Sequence, residues 1–202
     1  SDFKPEAGRY HLYISWACPW AHRTAIMRRL KGLENAVGLS VVAAVIDQNR
    51  WEFSETEPGA IPDNVNGKNY LWEVYLKADS NYSGRVTVPV LWDKEKETIV
   101  NNESREIIRM FDTEFNALAE SNFNLLPPDL KAKVDETIDA IYQPINNGVY
   151  RAGFATTQSA YEEGVKDLFA ALDYWEGVLS QQRYLCGDRL TEADICMFTT
   201  LL

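Results

Sequence analysis

The chain has 202 residues, of which 46% are hydrophobic and 25% are charged, as in an ordinary globular protein with a sizeable core. Thirty acidic residues against twenty basic ones give a net charge of −10, and this excess argues against nucleic acid as a partner. No apolar run reaches the length of about 18 residues that a membrane-spanning helix needs, so we expect no membrane partner.

The cysteines and histidines restrict the chemistry further. Cys18, Cys186 and Cys196 are too few and too scattered for a disulfide framework. We therefore expect free thiols in a reducing compartment and place the protein in the cytoplasm. His11 and His22 do not form a metal-ligand spacing with these cysteines, so we expect no metal site.

The first half of the chain begins with a predicted strand, helix and strand. The alternating apolar residues of "YHLYISW" at 10–16 predict a strand, and residues 19–31 predict a helix that ends near Gly32. The continuous apolar run at 39–46 predicts a second strand, parallel to the first. Residues 55–69 are rich in Gly, Pro and Asn and predict a loop.

A hairpin and a helix follow the loop. The segments 87–92 and 98–100, joined by the charged turn "DKEKE", predict the hairpin. The next helix places Ile107, Ile108 and Phe111 on one face. The order β-α-β, loop, β-β-α is the order of the thioredoxin fold.

From residue 113 onward only helical periodicity is found. It is carried by two sets of apolar residues: Val134, Ile138, Ile141 and Ile145, then Val165, Leu168, Phe169, Leu172, Trp175 and Leu179. We therefore predict an α/β plus all-α protein, with a thioredoxin-like domain at 1–112 and a helical domain at 113–202.

Cys18, in "SWACPWAHR", is the candidate nucleophile. Pro19 suits the first position of a helix, so Cys18 lies at a helix N-terminus, where unpaired N–H groups and the helix dipole stabilise an anion. We expect a lowered pKa for this thiol, with Arg23 adding positive potential. The alternative is a buried structural cysteine, and the proline and the strand-to-helix junction stand against it. Because Ala21 stands three residues on, no Cys-x-x-Cys disulfide can form, and an outside thiol must resolve a mixed disulfide.

Two further positions suggest a peptide-like ligand. Pro89 interrupts a predicted strand, so it marks an edge or bend or is a cis-proline. A cis-proline beside the reactive cysteine leaves the backbone groups of Val88 free to pair with an extended ligand. Glu103 and Ser104 open the next helix, where N–H groups and the hydroxyl suit a carboxylate and the Glu side chain suits an ammonium. Alone, "NES" is equally well explained as a helix cap. Beside Cys18 and Val88, the binding of an amino-acid-like ligand end is favoured.

Four segments together resemble the glutathionyl-hydroquinone reductases, the Xi class of glutathione transferases: "CPWAHR", "GRVTVPVLWD", "IVNNES" and "INNGVYRAGFA". The segment "YLCGDRLTEADI" resembles one shared by glutathione transferases generally, in which Thr191 and Asp194 form an N-capping box. The resemblance runs from Tyr10 to the end of the chain, whereas omega-class transferases share only the Cys-Pro start. It implies a thioredoxin-like domain joined to a helical domain, a homodimer, and glutathione as co-substrate.

The resemblance also implies roles for single residues. Cys18 resembles the family's nucleophile, and Tyr150 resembles a tyrosine that faces the aromatic substrate. The residues that resemble glutathione contacts are Trp51, Arg85, Val88, Glu103 and Ser104. From the residues alone, Trp51 is equally explained as a core aromatic, Arg85 as a solvated charge and Tyr150 as an ordinary helix aromatic.

The reaction implied by the resemblance is a thiol reduction. The Cys18 thiolate attacks the thioether sulfur of a glutathionyl-hydroquinone, which releases the hydroquinone and leaves glutathione disulfide-bonded to Cys18. A second glutathione then resolves that disulfide. The alternatives are an omega-like thioltransferase or dehydroascorbate reductase, and a non-catalytic transferase-like interaction module.

The last residues, "CMFTTLL", stand within a predicted helix. Members of the resembled family continue with further helices, which carry a second substrate-facing tyrosine and much of the dimer contact. We therefore expect the helical domain of this chain to be incomplete.

Overall fold

The computed structural model describes residues 2–45 and 51–202. These residues form two compact units, one that ends at Phe123 and one that runs from Asn124 to Leu202. We call them the α/β unit and the helical unit. The domain boundary predicted between residues 112 and 113 lies shortly before this division and stays a prediction.

The α/β unit contains one four-stranded sheet with the strand order β2-β1-β3-β4. Its strands are β1 (Tyr10–Ile14), β2 (Val37–Val41), β3 (Val90–Asp93) and β4 (Thr98–Asn101). Strands β1 and β2 are parallel, with Leu12 opposite Leu39, and the other two pairings are antiparallel. This confirms the predicted parallel pair and hairpin. The second strand was predicted at 39–46, but it begins at Val37 and ends at Val41, and residues 42–45 are not part of it. Ile46 lies outside the described residues.

Three α-helices and a short 3₁₀ helix (Glu114–Leu118) lie in the described part of this unit. The α-helices are α1 (Pro19–Leu30), α2 (Leu71–Ala78) and α3 (Ser104–Asp112). The bounds of α1 follow from its sequence, since Pro19 occupies the first turn and Gly32, just past the end, has a φ of +63°. Helix α2 was not predicted. It begins where the Glu73 carboxylate accepts a hydrogen bond from the Tyr70 N–H at 2.9 Å.

The core of the α/β unit lies where α1 and α3 pack together beside the sheet. Leu12, Leu91 and Phe111 are fully buried. Trp92 is fully buried as well, with Lys77 of α2 over its ring. Lys31, which follows α1, is a buried cation with several hydrogen-bond acceptors. Its ammonium donates to Asp112 Oδ1 at 3.1 Å, to Asn116 Oδ1 at 2.7 Å and to the Phe123 carbonyl oxygen at 2.6 Å. This cluster holds the ends of α1 and α3 against the chain that leaves the unit.

The helical unit contains α4 (Lys131–Ile141), α5 (Gly148–Gly153), α6 (Gln158–Leu179) and α7 (Glu192–Leu201), with a π-helical turn at Tyr142–Asn146. Val134, Ile138, Ile141 and Ile145 are buried as their spacing predicts. The predicted capping box of α7 is present, since the Asp194 carboxylate accepts from the N–H of Thr191 at 2.8 Å and from its hydroxyl at 2.9 Å. Across residues 2–45 and 51–202, no helix combines the length and apolarity needed to cross a membrane. The predicted thioredoxin-like half followed by an all-helical half is confirmed.

Candidate active site

Cys18 stands at the junction between β1 and α1, as the sequence predicts. It is the N-cap residue of α1, and its N–H donates to the Ser15 carbonyl oxygen at 3.2 Å, which closes a tight turn. Its half-buried thiol donates to the carbonyl oxygen of Val88 at 3.7 Å. The N-terminus of α1 and the segment that precedes β3 therefore meet at the sulfur atom.

The pKa of Cys18 is shifted upward, opposite to the direction predicted from its position. Burial is the largest cause, because it disfavours the charged thiolate. The sulfur makes no capping hydrogen bond, but the backbone N–H groups of Ala21 and Trp20 and the charge of Arg23 lower the pKa and oppose this shift. The helix N-terminus thus acts as expected, and the desolvation of the thiol outweighs it.

The Val88–Pro89 peptide bond is cis, one of the two arrangements that Pro89 predicts. Val88 is 4% exposed, and its N–H donates to no acceptor among the described residues. Its carbonyl oxygen faces the Cys18 thiol. Val88 thus contacts the Cys18 sulfur through its carbonyl oxygen, while its N–H, which has no acceptor among the described residues, can donate to a ligand.

Two side chains outside the predicted set fix this segment. Asn102 donates to the Pro89 carbonyl oxygen at 2.8 Å and to the Thr87 hydroxyl at 3.1 Å. The Tyr75 hydroxyl, on α2, donates to the Thr87 carbonyl oxygen at 2.8 Å. The motif "IVNNES" contains Asn102 and was the only signal for it, whereas Tyr75 lies on the helix that the sequence did not reveal.

Trp51 and Arg85 lie along the same segment but differ in their contacts. The Trp51 indole N–H donates to the Val86 carbonyl oxygen at 3.3 Å, so this half-buried ring flanks the chain that leads to Val88. The Arg85 side chain is exposed and forms no ion pair with any residue that the structure describes. Arg85 is held through its backbone, since its carbonyl oxygen accepts from the Tyr82 hydroxyl at 2.5 Å.

Glu103 and Ser104 open α3 as predicted. Glu103 is the N-cap, with its exposed carboxylate accepting from the Arg105 N–H at 3.2 Å and from the Ser104 hydroxyl at 3.4 Å. Ser104 is 2% exposed, and its Oγ also accepts a hydrogen bond from Arg23 at 3.4 Å. The capping role and a ligand-binding role are compatible, because the Glu103 side chain remains open to solvent.

Tyr150 belongs to the helical unit. It is half-buried on α5, and its ring stacks on that of Phe154 at 6.0 Å between centroids, with an interplanar angle of 21°. Phe154 is 78% exposed. The pair forms an aromatic surface on α5. In the part of the chain that the structure describes, no three His, Cys, Asp or Glu side chains come together to form a metal site.

Comparison with known proteins agrees with this arrangement. Family models for the N-terminal and C-terminal domains of glutathione S-transferases match residues 17–114 and 158–202. The chain is 54% identical over 200 residues to the glutathionyl-hydroquinone reductase YqjG of Escherichia coli strain K12. That alignment covers 99% of this chain but 61% of the relative, so the chain spans less than two thirds of that protein's length.

Two solved structures are similar throughout. The glutathione-bound structure of the Escherichia coli K-12 homologue has a TM-score of 0.94 at 55% identity and covers 97% of this chain and 64% of that one. The Xi glutathione-S-transferase of Phanerochaete chrysosporium has a TM-score of 0.96 at 52% identity, with coverage of 100% of this chain and 69% of that one. With its cysteine at the start of α1 and its cis Val88–Pro89 bond, the chain belongs to the Xi class of the glutathione transferases.

Proposed function

We propose that the full-length protein reduces glutathionyl-hydroquinones to hydroquinones at the expense of glutathione. The Cys18 thiolate attacks the thioether sulfur, the carbon–sulfur bond breaks, and its electron pair passes to the ring carbon, which takes up a proton. Glutathione is left disulfide-bonded to Cys18. A second glutathione thiolate attacks this disulfide, which releases oxidised glutathione and regenerates the Cys18 thiolate.

One observation carries this proposal: the Cys18 thiol lies at 3.7 Å from the carbonyl oxygen of Val88, a residue whose own N–H has no acceptor within residues 2–45 and 51–202. A peptide that pairs with Val88 as an added strand would place its own sulfur-bearing residue beside Cys18. A ligand N–H that donates to the Val88 carbonyl oxygen would also replace the Cys18 thiol as donor. Loss of that acceptor favours the thiolate, so glutathione binding helps to activate the nucleophile.

The γ-glutamyl end of glutathione fits the start of α3. Its ammonium pairs with the exposed Glu103 carboxylate, and its carboxylate accepts from the Ser104 hydroxyl and from the N–H groups of the first turn. An α-amino acid group carries an ammonium beside a carboxylate. It therefore needs an acceptor, here the Glu103 carboxylate, beside a donor, here the Ser104 hydroxyl. The glutathione-bound Escherichia coli structure supports this choice of ligand.

The other end of glutathione extends along the segment that precedes Val88. Arg85 has an exposed guanidinium with no described carboxylate partner, and it suits the glycine carboxylate of the tripeptide. Trp51 flanks the same segment, since its indole N–H donates to the Val86 carbonyl oxygen.

The resolving thiol comes from solution. Residue 21, three positions after Cys18, is alanine, and Cys186 and Cys196 are both buried within the helical unit. All three cysteines are free thiols. A second glutathione molecule is therefore the reductant that completes the cycle.

The aromatic part of the substrate is assigned to Tyr150, on the basis of its resemblance to the family's tyrosine and its place in the exposed aromatic pair on α5. The same resemblance supports a homodimer, and the three free thiols support a cytoplasmic setting. Light scattering of the full-length protein tests the assembly.

The test of this function is steady-state turnover of the full-length protein with a glutathionyl-hydroquinone and glutathione. We expect one hydroquinone and one oxidised glutathione per cycle, measured together by chromatography. Cys18→Ser should abolish both products, whereas the matched thiol variant Cys196→Ser should retain them. If the protein turns over small disulfides but not the glutathionyl-hydroquinone, it is an omega-like thioltransferase instead. If it binds glutathione but turns over neither substrate, it is an interaction module.

A further inference from the structure

Arg23 is a buried cation on α1, one turn after Cys18. It is 2% exposed, although arginine is rarely so deeply buried in proteins. Its guanidinium carbon lies at 4.3 Å from the ring centre of Trp20, which is a stacking distance, and one terminal nitrogen donates to Ser104 Oγ at 3.4 Å. The side chain therefore spans from the first turn of α1 to the first residue of α3.

These two contacts reach two parts of the candidate glutathione site, the turn beside the Cys18 thiol and the γ-glutamyl end. Trp20 carries one of the backbone N–H groups that favour the Cys18 thiolate, and Ser104 carries the hydroxyl proposed for the γ-glutamyl carboxylate. A planar guanidinium can stack on one partner while it donates to the other, which an ammonium cannot do.

We propose that Arg23 is a positioning residue that couples the nucleophile to the γ-glutamyl end of the glutathione site, holding the Trp20 turn beside Cys18 and the Ser104 hydroxyl in place with one buried positive charge. The proposal rests on the proposed function in that glutathione is the ligand. Charges act over longer range in a poorly solvated interior than in water, so one cation can favour both the Cys18 thiolate and a carboxylate bound at Ser104. The Arg23 charge lowers the pKa of Cys18 and therefore favours its thiolate.

The test compares three variants. Arg23→Met removes the charge and keeps an apolar stem, Arg23→Lys keeps the charge and loses the planar stack, and Arg29→Met removes an exposed arginine from the same helix. Two quantities are measured on the full-length protein: the pH dependence of Cys18 alkylation without glutathione, and the glutathione dissociation constant by calorimetry.

We expect Arg23→Met to move the alkylation midpoint to higher pH, because the variant loses the charge that lowers the pKa of Cys18 in the wild-type protein. We expect it to weaken glutathione binding about tenfold, because the Ser104 hydroxyl loses the donor that orients it. Arg23→Lys should retain the alkylation midpoint and still bind glutathione more weakly. Arg29→Met should change neither.

An Arg23→Met protein that folds, with the wild-type alkylation midpoint and the wild-type glutathione affinity, would overturn the proposal. If Arg23→Met does not fold, Arg23→Lys decides, because an unchanged glutathione affinity in that variant contradicts the role of the planar fork. Failure of the proposed function is distinguishable, since it is measured as absent turnover of a glutathionyl-hydroquinone by the wild-type protein. The alkylation profiles and glutathione affinities of the Arg23 variants are measured without turnover.

Discussion

The thiol of Cys18 and the carbonyl oxygen of Val88 lie 3.7 Å apart, so the proposed nucleophile at the start of α1 is held by the backbone segment proposed to bind the substrate. In this arrangement the protonated thiol is the donor. Burial raises the pKa of Cys18, and the N–H groups of Ala21 and Trp20 lower it by less. The neutral thiol is therefore the favoured form of the free protein at neutral pH.

This balance predicts the pH dependence of Cys18 alkylation. Only the thiolate reacts, and a raised pKa means that the thiolate fraction keeps increasing above the ordinary thiol value of about 8.5. We expect the iodoacetamide rate of the free protein to rise through that pH without reaching a plateau, with Cys18→Ser as the blank. A plateau reached at or below neutral pH would show that the helix N-terminus outweighs burial.

Asn102 is predicted to position the Val88 segment. Asn102→Ala removes hydrogen bonds to Pro89 and Thr87, and each bond contributes about 1 kcal/mol. We expect a loss of about 1–3 kcal/mol in unfolding free energy and weaker glutathione binding, measured by urea denaturation and calorimetry. Asn81→Ala, at an exposed position, is the control and should change neither quantity. Unaltered affinity in Asn102→Ala would mean that the segment keeps its place without this side chain.

Glu103 is predicted to hold the ammonium of glutathione. Glu103→Ala should weaken glutathione binding by about 1–3 kcal/mol, because a charge-assisted partner is lost. Calorimetry measures this loss, and Glu136→Ala, an exposed glutamate on α4, controls for the change in net charge. Equal affinities of Glu103→Ala and the wild-type protein would place the γ-glutamyl end elsewhere.

Tyr150 is predicted to act on the aromatic substrate alone. Tyr150→Phe keeps the ring that stacks on Phe154 and removes the hydroxyl. We expect kcat/KM to fall more for a glutathionyl-hydroquinone than for hydroxyethyl disulfide, which has no ring to contact. Tyr161→Phe, an exposed tyrosine on α6, serves as the control. Equal losses on both substrates would assign Tyr150 a role in folding.

Much of the fold was predictable because its signals are local. Pro19 and Gly32 mark the ends of α1, and apolar alternation marks β1. Helix α2 was missed because it has only 8 residues, follows a loop rich in Gly, Pro and Asn, and begins at Tyr70, which is not a common N-cap residue.

The candidate site was predictable in part for the same reason. Cys18, Glu103 and Ser104 stand at helix starts, and these are visible in the sequence. The contacts of Asn102 and Arg23 join residues far apart in the chain, so no spacing rule reveals them. The direction of the Cys18 pKa shift depends on burial, which is set by tertiary packing rather than by position in a helix.

The central claim is that Cys18 takes glutathione directly from the thioether substrate. It is tested by a single-turnover reaction of the full-length protein with a glutathionyl-hydroquinone and no free glutathione, followed by mass spectrometry of the intact protein and of its peptides. We expect one glutathione on Cys18 for each hydroquinone released, none on Cys186 or Cys196, and loss of the adduct when glutathione is added. Release of hydroquinone with no adduct on Cys18, or with undiminished yield in Cys18→Ser, would contradict it.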